Sequence, residues 1–240
     1  MKKRLMAAGL LLLLSSVVSL AQSGADEIIK RGNARYAQGQ YEAAIKEYRR
    51  VSEARADAYA QSLYNIGVCY FELGRTDEAV SFYRRAVEAR GGKYPKALYA
   101  LGVALEVSGK LKDAGDAYSR AIDASEGGYT EAGLAVAHYR LGMLAGREGD
   151  YERAQGLFRE AISRSKERFP AGHNNLGVML ALSGRVTEAE REFETALKEA
   201  DAGFNDAAYN LSLCRALIRR ETESAFARLR VADSTFVLAR

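Results

Sequence analysis

The sequence predicts an all-α fold, a solenoid of antiparallel helix pairs, and three observations carry this prediction. Proline is scarce, at 2 residues in 240, whereas Ala, Leu, Arg and Glu, which favour helices, are abundant. Apolar residues recur at helical spacing, for example at Leu63, Ile66 and Tyr70. A glycine, preceded by a hydrophobic residue from the second unit onward, also returns at a nearly constant interval along the chain.

The segment 1–21 has the features of a removable export leader. Three cations at positions 2–4 precede an apolar run from about Ala7 to Leu20, and small residues precede a cut after Ala21. As a helix the run spans about 21 Å, short of the roughly 30 Å hydrocarbon core, so we expect cleavage and no stable membrane insertion; retention as an anchor is the alternative. The expected location is the periplasm or the outside of the cell.

The charge of the mature chain argues against nucleic-acid binding. Removing the three leader cations lowers the formal net charge from +4 to +1. No block of five or more like charges remains in the mature chain, so the electrostatic footprint of a nucleic-acid binder is absent.

The repeat is marked by two glycines in each unit. The first recurs at intervals of 35, 35, 40 and 35 residues, and Ser212 follows after a further 35: Gly32, Gly67, Gly102, Gly142, Gly177. The second comes seven residues later: Gly39, Gly74, Gly109, Gly149, Gly184. We predict a helical hairpin per unit, with the second glycine at positive φ in the turn. Because a glycine inside a helix costs about 1 kcal/mol against alanine, the first is expected to pack closely against the small alanine of the second helix.

The pattern resembles the tetratricopeptide-repeat family. The matching segments are 64–70 (YNIGVCY), 149–154 (GDYERA) and 175–177 (NLG), and similar segments recur from roughly Ala25 to Val231. The resemblance implies a right-handed superhelical solenoid of about five full repeats and a degenerate C-terminal pair.

Stacked hairpins share one continuous core, so a single domain over 22–240 is predicted. The repeats are expected near 25–58, 60–93, 95–128, 129–168, 170–203 and 205–232. An insertion around 125–128 is expected to make the next helix start early, near Thr130. An arginine-rich helix at about Glu221 to Val231 is predicted to cap the stack.

One face of the first helices is a candidate ligand site. On a helical wheel, the positions three before, one after and four after the repeat glycine share a face, which lines the concave groove in a solenoid of this kind. Here the face is rich in tyrosine, where charge is expected opposite a packed side. The predicted groove residues are Asn33, Tyr36, Tyr64, Val68, Phe71, Tyr99, Val103, Tyr139, Met143 and Tyr209. Stacking of these tyrosines between adjacent helices is the alternative explanation.

Residues typical of catalysis or metal binding are not arranged for either. Cys69 and Cys214 hold equivalent core positions too far apart for a disulfide. His138 and His173 are also equivalent but have no evident third ligand, so both are expected to be satisfied packing residues. No phosphate loop is present, and the one apparent nucleophile motif lacks its partner motifs. No enzymatic activity, metal or cofactor is therefore expected.

The expected function is a monomeric, non-enzymatic scaffold or adaptor of the bacterial cell envelope. It would bind a peptide segment of a protein partner in the concave groove, with Tyr64, Tyr99 and Tyr139 as anchors. The alternative is a small-molecule or glycan carrier with a pocket at the insertion near Gly127 and Gly128, between the third and fourth repeats.

Overall fold

The computed structural model describes residues 24–124, 129–166, 168–200, 203–219 and 229–232, and all regular structure in these ranges is helical. The first helix, α1, is described over residues 24–37. It is followed by α2 (Tyr41–Tyr48), α3 (Ala56–Glu72), α4 (Thr76–Ala89), α5 (Pro95–Val107), α6 (Leu111–Asp123), α7 (Glu131–Arg147), α8 (Tyr151–Arg164), α9 (Pro170–Leu182), α10 (Val186–Glu199) and α11 (Asn205–Ile218). The predicted all-α helical repeat fold is confirmed.

The chain divides into two compact units, the first ending at Ala114 and the second beginning at Gly115, within α6. In the first unit, α3 packs on α4, and each also packs on a flanking helix, α2 or α5. In the second, α7 packs on α8 and α9 on α10, while α8 also contacts α9 and α10 contacts α11. Most helices thus pack against both sequence neighbours, as stacked hairpins do. The single domain over 22–240 stays a prediction.

The turn glycines behave as predicted. Gly74 and Gly149 have φ of 71° and 82°, and φ is also positive at Gly39, Gly109 and Gly184. At the turn between α3 and α4, the Gly74 N–H donates to the Phe71 carbonyl at 3.0 Å, and the Arg75 N–H donates to the Tyr70 carbonyl at 2.9 Å. These bonds satisfy the last carbonyls of α3, so the chain can reverse and start α4.

The nearest neighbour of the repeat glycine is an aromatic ring, which the sequence did not predict. The expected contact with the small alanine stays a prediction. A Cβ built on Gly67 would lie 2.6 Å from the ring of Tyr83, and one on Gly177 would lie 2.7 Å from the ring of Phe193. In both hairpins the ring belongs to the second helix, sixteen residues after the glycine. The missing side chain therefore makes room for a large ring, which spans more of the gap between two helices than a methyl group.

The helix after the insertion starts where the sequence predicts. Thr130 is the N-cap of α7, and its side-chain oxygen accepts a hydrogen bond from the Gly133 N–H at 3.1 Å. The insertion itself, 125–128, lies outside the described residues, and with it the predicted small-molecule pocket.

The predicted capping helix at about Glu221 to Val231 is wrong over its described end. Residues 220–228 lie outside the described ranges, but 229–231 are described and are not helical. The backbone N–H and C=O of Arg230 are instead bonded to side chains of α9 and α11, which replace the hydrogen bonds of a helix there. The leader, 1–21, also lies outside the described residues. Across the described ranges, no helix is both long and apolar enough to span a membrane.

Candidate functional site

In the first unit, the predicted groove residues lie on α1, α3 and α5 and differ in exposure. Asn33 is exposed, whereas Tyr99 is only 4% exposed. The others are half-buried: Tyr36, Tyr64, Val68, Phe71 and Val103. A ligand-binding role for this set stays a prediction.

Tyr64 is held mainly by packing. Its ring centre lies 5.8 Å from that of Tyr83 and 5.8 Å from that of Tyr94, and the Lys96 ammonium sits 4.9 Å from the ring centre. Burial raises the pKa of the Tyr64 hydroxyl, and the neighbouring Tyr94 adds to the rise. For this tyrosine, contacts within the fold account for most of the ring surface.

Polar groups lie beside these rings. The Tyr48 hydroxyl donates to Asn33 Oδ1 at 2.7 Å, and Asn65 Nδ2 approaches the same oxygen at 3.4 Å. The Tyr36 hydroxyl donates to a Glu72 carboxylate oxygen at 3.0 Å. The face of the first unit therefore combines half-buried rings with amide and carboxylate groups.

In the second unit, the corresponding face is covered by a later part of the same chain. Tyr139 and Met143 are 0% and 7% exposed, and Tyr209 is half-buried. Four residues near the C-terminus, 229–232, lie against this face, and we call them the tail segment. The Tyr139 hydroxyl donates to the carbonyl oxygen of Ala232 at 2.7 Å.

Three buried asparagines, Asn174 and Asn175 on α9 and Asn210 on α11, provide the other hydrogen bonds to the tail segment. Together with Tyr139 they form what we call the asparagine face. Asn175 accepts from the Ala232 N–H at 2.7 Å and donates to its carbonyl at 2.9 Å. Asn210 accepts from the Arg230 N–H at 2.8 Å and donates to its carbonyl at 2.7 Å. Each amide therefore binds both backbone groups of one residue.

This geometry is that of a strand pairing with its neighbour. In a sheet, alternate residues offer their N–H and C=O to the same side, and residues 230 and 232 do so here. The side-chain amides of Asn175 and Asn210 supply the matching donor and acceptor. Asn174 reinforces the arrangement by donating to the Arg230 carbonyl at 3.1 Å. These bonds are all made to the backbone of the tail segment and not to its side chains.

The asparagines also hold one another in position. Asn210 donates to Asn174 Oδ1 at 2.9 Å, Asn174 donates to Asn175 Oδ1 at 3.0 Å, and Asn175 donates to the Tyr139 hydroxyl at 2.9 Å. All three asparagine side chains are fully buried. Because buried amides are costly unless bonded, this chain of bonds fixes which way each amide faces the backbone.

The side chains of the tail segment meet different surroundings. The Arg230 guanidinium lies 4.1 Å from the ring centre of Tyr209, and its Nη1 is 3.6 Å from an Asp206 carboxylate oxygen. Val231 points away and is 40% exposed, whereas Ala232 is 6% exposed. The site thus offers a cation position and a small position, separated by one residue that faces solvent.

The predicted list of site residues left out the asparagines, although Asn174 lies on the predicted face, three residues before its repeat glycine, and a signal exists for the other two. Asn175 and Asn210 both lie two residues before the repeat glycine or its substitute Ser212, as does Asn65 in α3. Asparagine is unfavourable inside helices, so its return at one repeat position requires a reason. The predicted list kept Tyr139, Met143 and Tyr209 from this unit and left that position out.

The cysteines and histidines have packing roles in the described structure. Cys69 and Cys214 are buried and free, and burial raises the pKa of their thiols to about 12 and about 11. His173 Nδ1 lies 2.7 Å from a Glu192 carboxylate oxygen. Neither ring nitrogen of His138 has a hydrogen-bond partner, so the expectation of a satisfied histidine is wrong there. No group of three potential metal ligands occurs among the residues that the structure describes.

Comparison with known proteins gives the same picture of the fold. The model of the tetratricopeptide-repeat family matches residues 29–95, 90–129 and 139–204, more than half of the chain. No curated protein matches the sequence significantly.

Several solved structures share the fold. The chain is similar to MamA, with 25% identity over 70% of this chain and 93% of that one and a TM-score of 0.60. It is also similar to pilF of Pseudomonas aeruginosa, with 15% identity over 87% and 90% of the two chains and a TM-score of 0.65. For YrrB the identity is 22%, the coverages are 78% and 87%, and the TM-score is 0.60.

Proposed function

Because the chain belongs to the tetratricopeptide-repeat family, we propose that it is a non-enzymatic adaptor that binds an extended segment of a partner protein on the asparagine face. One structural relative, YrrB, is described as a TPR protein with an unusual peptide-binding site. Repeat proteins of this kind present extended surfaces on which such segments bind.

The observation that carries the proposal is the pairing of Asn175 and Asn210 with the N–H and C=O of alternate backbone residues. A partner in extended conformation offers the same groups at the same spacing, about 6.6 Å for every second residue. Backbone bonds would supply affinity, and the positions at Tyr209 and Asp206 would supply selectivity.

The experiment compares the full chain with an Asn175→Ala, Asn210→Ala double variant, using a displayed library of short random linear peptides as the probe. We expect peptides selected on the parent to bind the double variant at least about tenfold more weakly, because four backbone bonds are lost. The matched control is Asn65→Ala, at the same repeat position in α3, which should bind these peptides normally. Undiminished binding by the folded double variant would place the site elsewhere.

We also propose that the protein acts in the bacterial cell envelope as a monomer. The leader features of 1–21 support export, and a cut after Ala21 would leave Gln22 as the first residue. Mass measurement of the chain recovered from its native cell fraction tests the export, and size-exclusion chromatography with light scattering tests the monomeric state. A mature chain in the envelope fraction is expected, and an intact Met1 chain in the cytoplasm would contradict it.

A further inference from the structure

The asparagine face already has an occupant in the same chain. The tail segment uses both backbone-binding amides, Asn175 and Asn210, as well as the Tyr139 hydroxyl. A partner strand cannot use these groups while the tail segment is docked. Binding of a partner therefore requires displacement of the tail segment.

The side chains of the tail segment indicate what the face selects. Arg230 places a planar cation over the Tyr209 ring and beside Asp206, which favours arginine over lysine at this position. Ala232 is buried where a large side chain would have to displace the fold. Val231 faces solvent and imposes little selection.

We propose that residues 229–232 are a resident ligand in cis, and that the partner segment which displaces them carries the same pattern: a cation, any residue, then a small residue. This inference rests on the proposed function, because it concerns the same face. The docked tail segment would compete with partners for this face, so that only partners of high affinity or high local concentration bind.

The covalent link strengthens this competition, because it keeps the tail segment close to the face. Ten residues separate Ile218, the end of α11, from Leu229. A connection of about this length typically gives an effective concentration on the order of 1 mM. A segment that binds with a Kd of about 0.1 mM as a separate peptide would then be docked in about ten of eleven molecules.

The test uses a synthetic peptide with the sequence of residues 226–234 and the full chain as receptor. In the Ala232→Glu variant the buried small position would receive a charge, which should release the tail segment and leave the face itself unaltered. The matched control is Val231→Glu, the same change at the neighbouring exposed position. Affinity is measured by isothermal titration.

We expect Ala232→Glu to bind the peptide at least about tenfold more tightly than the parent, and Val231→Glu to bind it like the parent. Within the peptide, replacing its Arg230 by glutamate should weaken binding, and replacing its Val231 by alanine should not. Equal affinity of all three receptors, or no binding to any, would overturn the inference. Should Ala232→Glu fail to fold by circular dichroism, Arg230→Glu at an exposed side chain serves instead, with the same expectation.

The two proposals fail in different ways. If releasing the tail segment leaves peptide affinity unchanged while the Asn175→Ala, Asn210→Ala variant still loses the library peptides, the cis-ligand inference is wrong and the adaptor proposal stands. If the double variant loses only the tail peptide and keeps the library peptides, the proposed partner site is wrong and the cis contact stands.

Discussion

Replacing Asn175 by alanine should release the tail segment while leaving the helices folded. The side chain exchanges two hydrogen bonds with the backbone of Ala232, at 2.7 Å and 2.9 Å. It also accepts from Asn174 at 3.0 Å. Alanine keeps the helical backbone of α9 and is a better helix former than asparagine, so the change acts mainly on the docked tail.

The expected size follows from the bonds that are lost. Each is worth about 1 kcal/mol net, and the buried groups left without their Asn175 partner add to the loss. The docked state should therefore lose about 2–3 kcal/mol relative to the undocked one, which lowers the docking equilibrium about 30- to 150-fold.

Amide hydrogen exchange at Ala232 reports this equilibrium directly, because its N–H exchanges only when it leaves Asn175 Oδ1. With a docking equilibrium constant of about 10, docking protects this amide about elevenfold. Asn175→Ala should lose nearly all of that protection, while amides in the middle of α9 keep theirs. Asn65→Ala removes an asparagine at the same repeat position in α3 and should leave the protection of Ala232 unchanged. Equal protection in the parent and Asn175→Ala would refute the proposed hydrogen bonding.

Three further predictions concern packing and ionisation. Gly67→Ala should lower the free energy of unfolding by up to about 2 kcal/mol because its Cβ meets a ring, whereas Gly156→Ala, with open space around it, should raise it by about 0.5–1 kcal/mol; chemical denaturation measures both. Burial lowers the pKa of His138, so acidification from about pH 6.5 down to that folded-state pKa should lower the free energy of unfolding, and His138→Leu should remove this part of the loss. Burial raises the pKa of Cys69 and Cys214, so a thiol reagent should label both only after unfolding; rapid labelling of the native chain would contradict their placement.

The repeat and its turns could be predicted because their causes are local. A glycine seven residues after the repeat glycine serves the same turn in each hairpin, so Gly74 and Gly149 carry the signal in their spacing alone. The start of α7 was likewise predictable, since Thr130 caps the helix through its own side chain.

The partner of the repeat glycine was not predictable in the same way. Spacing shows that Gly67 has a packing role, but that the Tyr83 ring is its nearest neighbour depends on how one helix is rotated against the other. That rotation results from all the contacts of the hairpin together, and no single period in the sequence encodes it.

The tail contact could not be predicted for a different reason. Asn175 and Ala232 are 57 residues apart and share no periodic relation. The wheel placed Tyr139 on a binding face, and the structure puts its hydroxyl at the end of the asparagine chain. A Tyr-rich face was thus visible in the sequence, whereas the backbone-binding amides beside it required the fold.

Recognition of an extended backbone by asparagine side chains is the central claim, and N-methylated peptides test it most directly. Three versions of the 226–234 peptide carry one methyl group each, on the amide nitrogen of Arg230, Val231 or Ala232, and are titrated into the Ala232→Glu chain. The methyl groups at 230 and 232 remove the N–H groups from which Asn210 and Asn175 accept hydrogen bonds, so binding should fall at least about tenfold. The version methylated at 231 should bind like the parent peptide. Equal affinities of the three versions would contradict backbone recognition at this face.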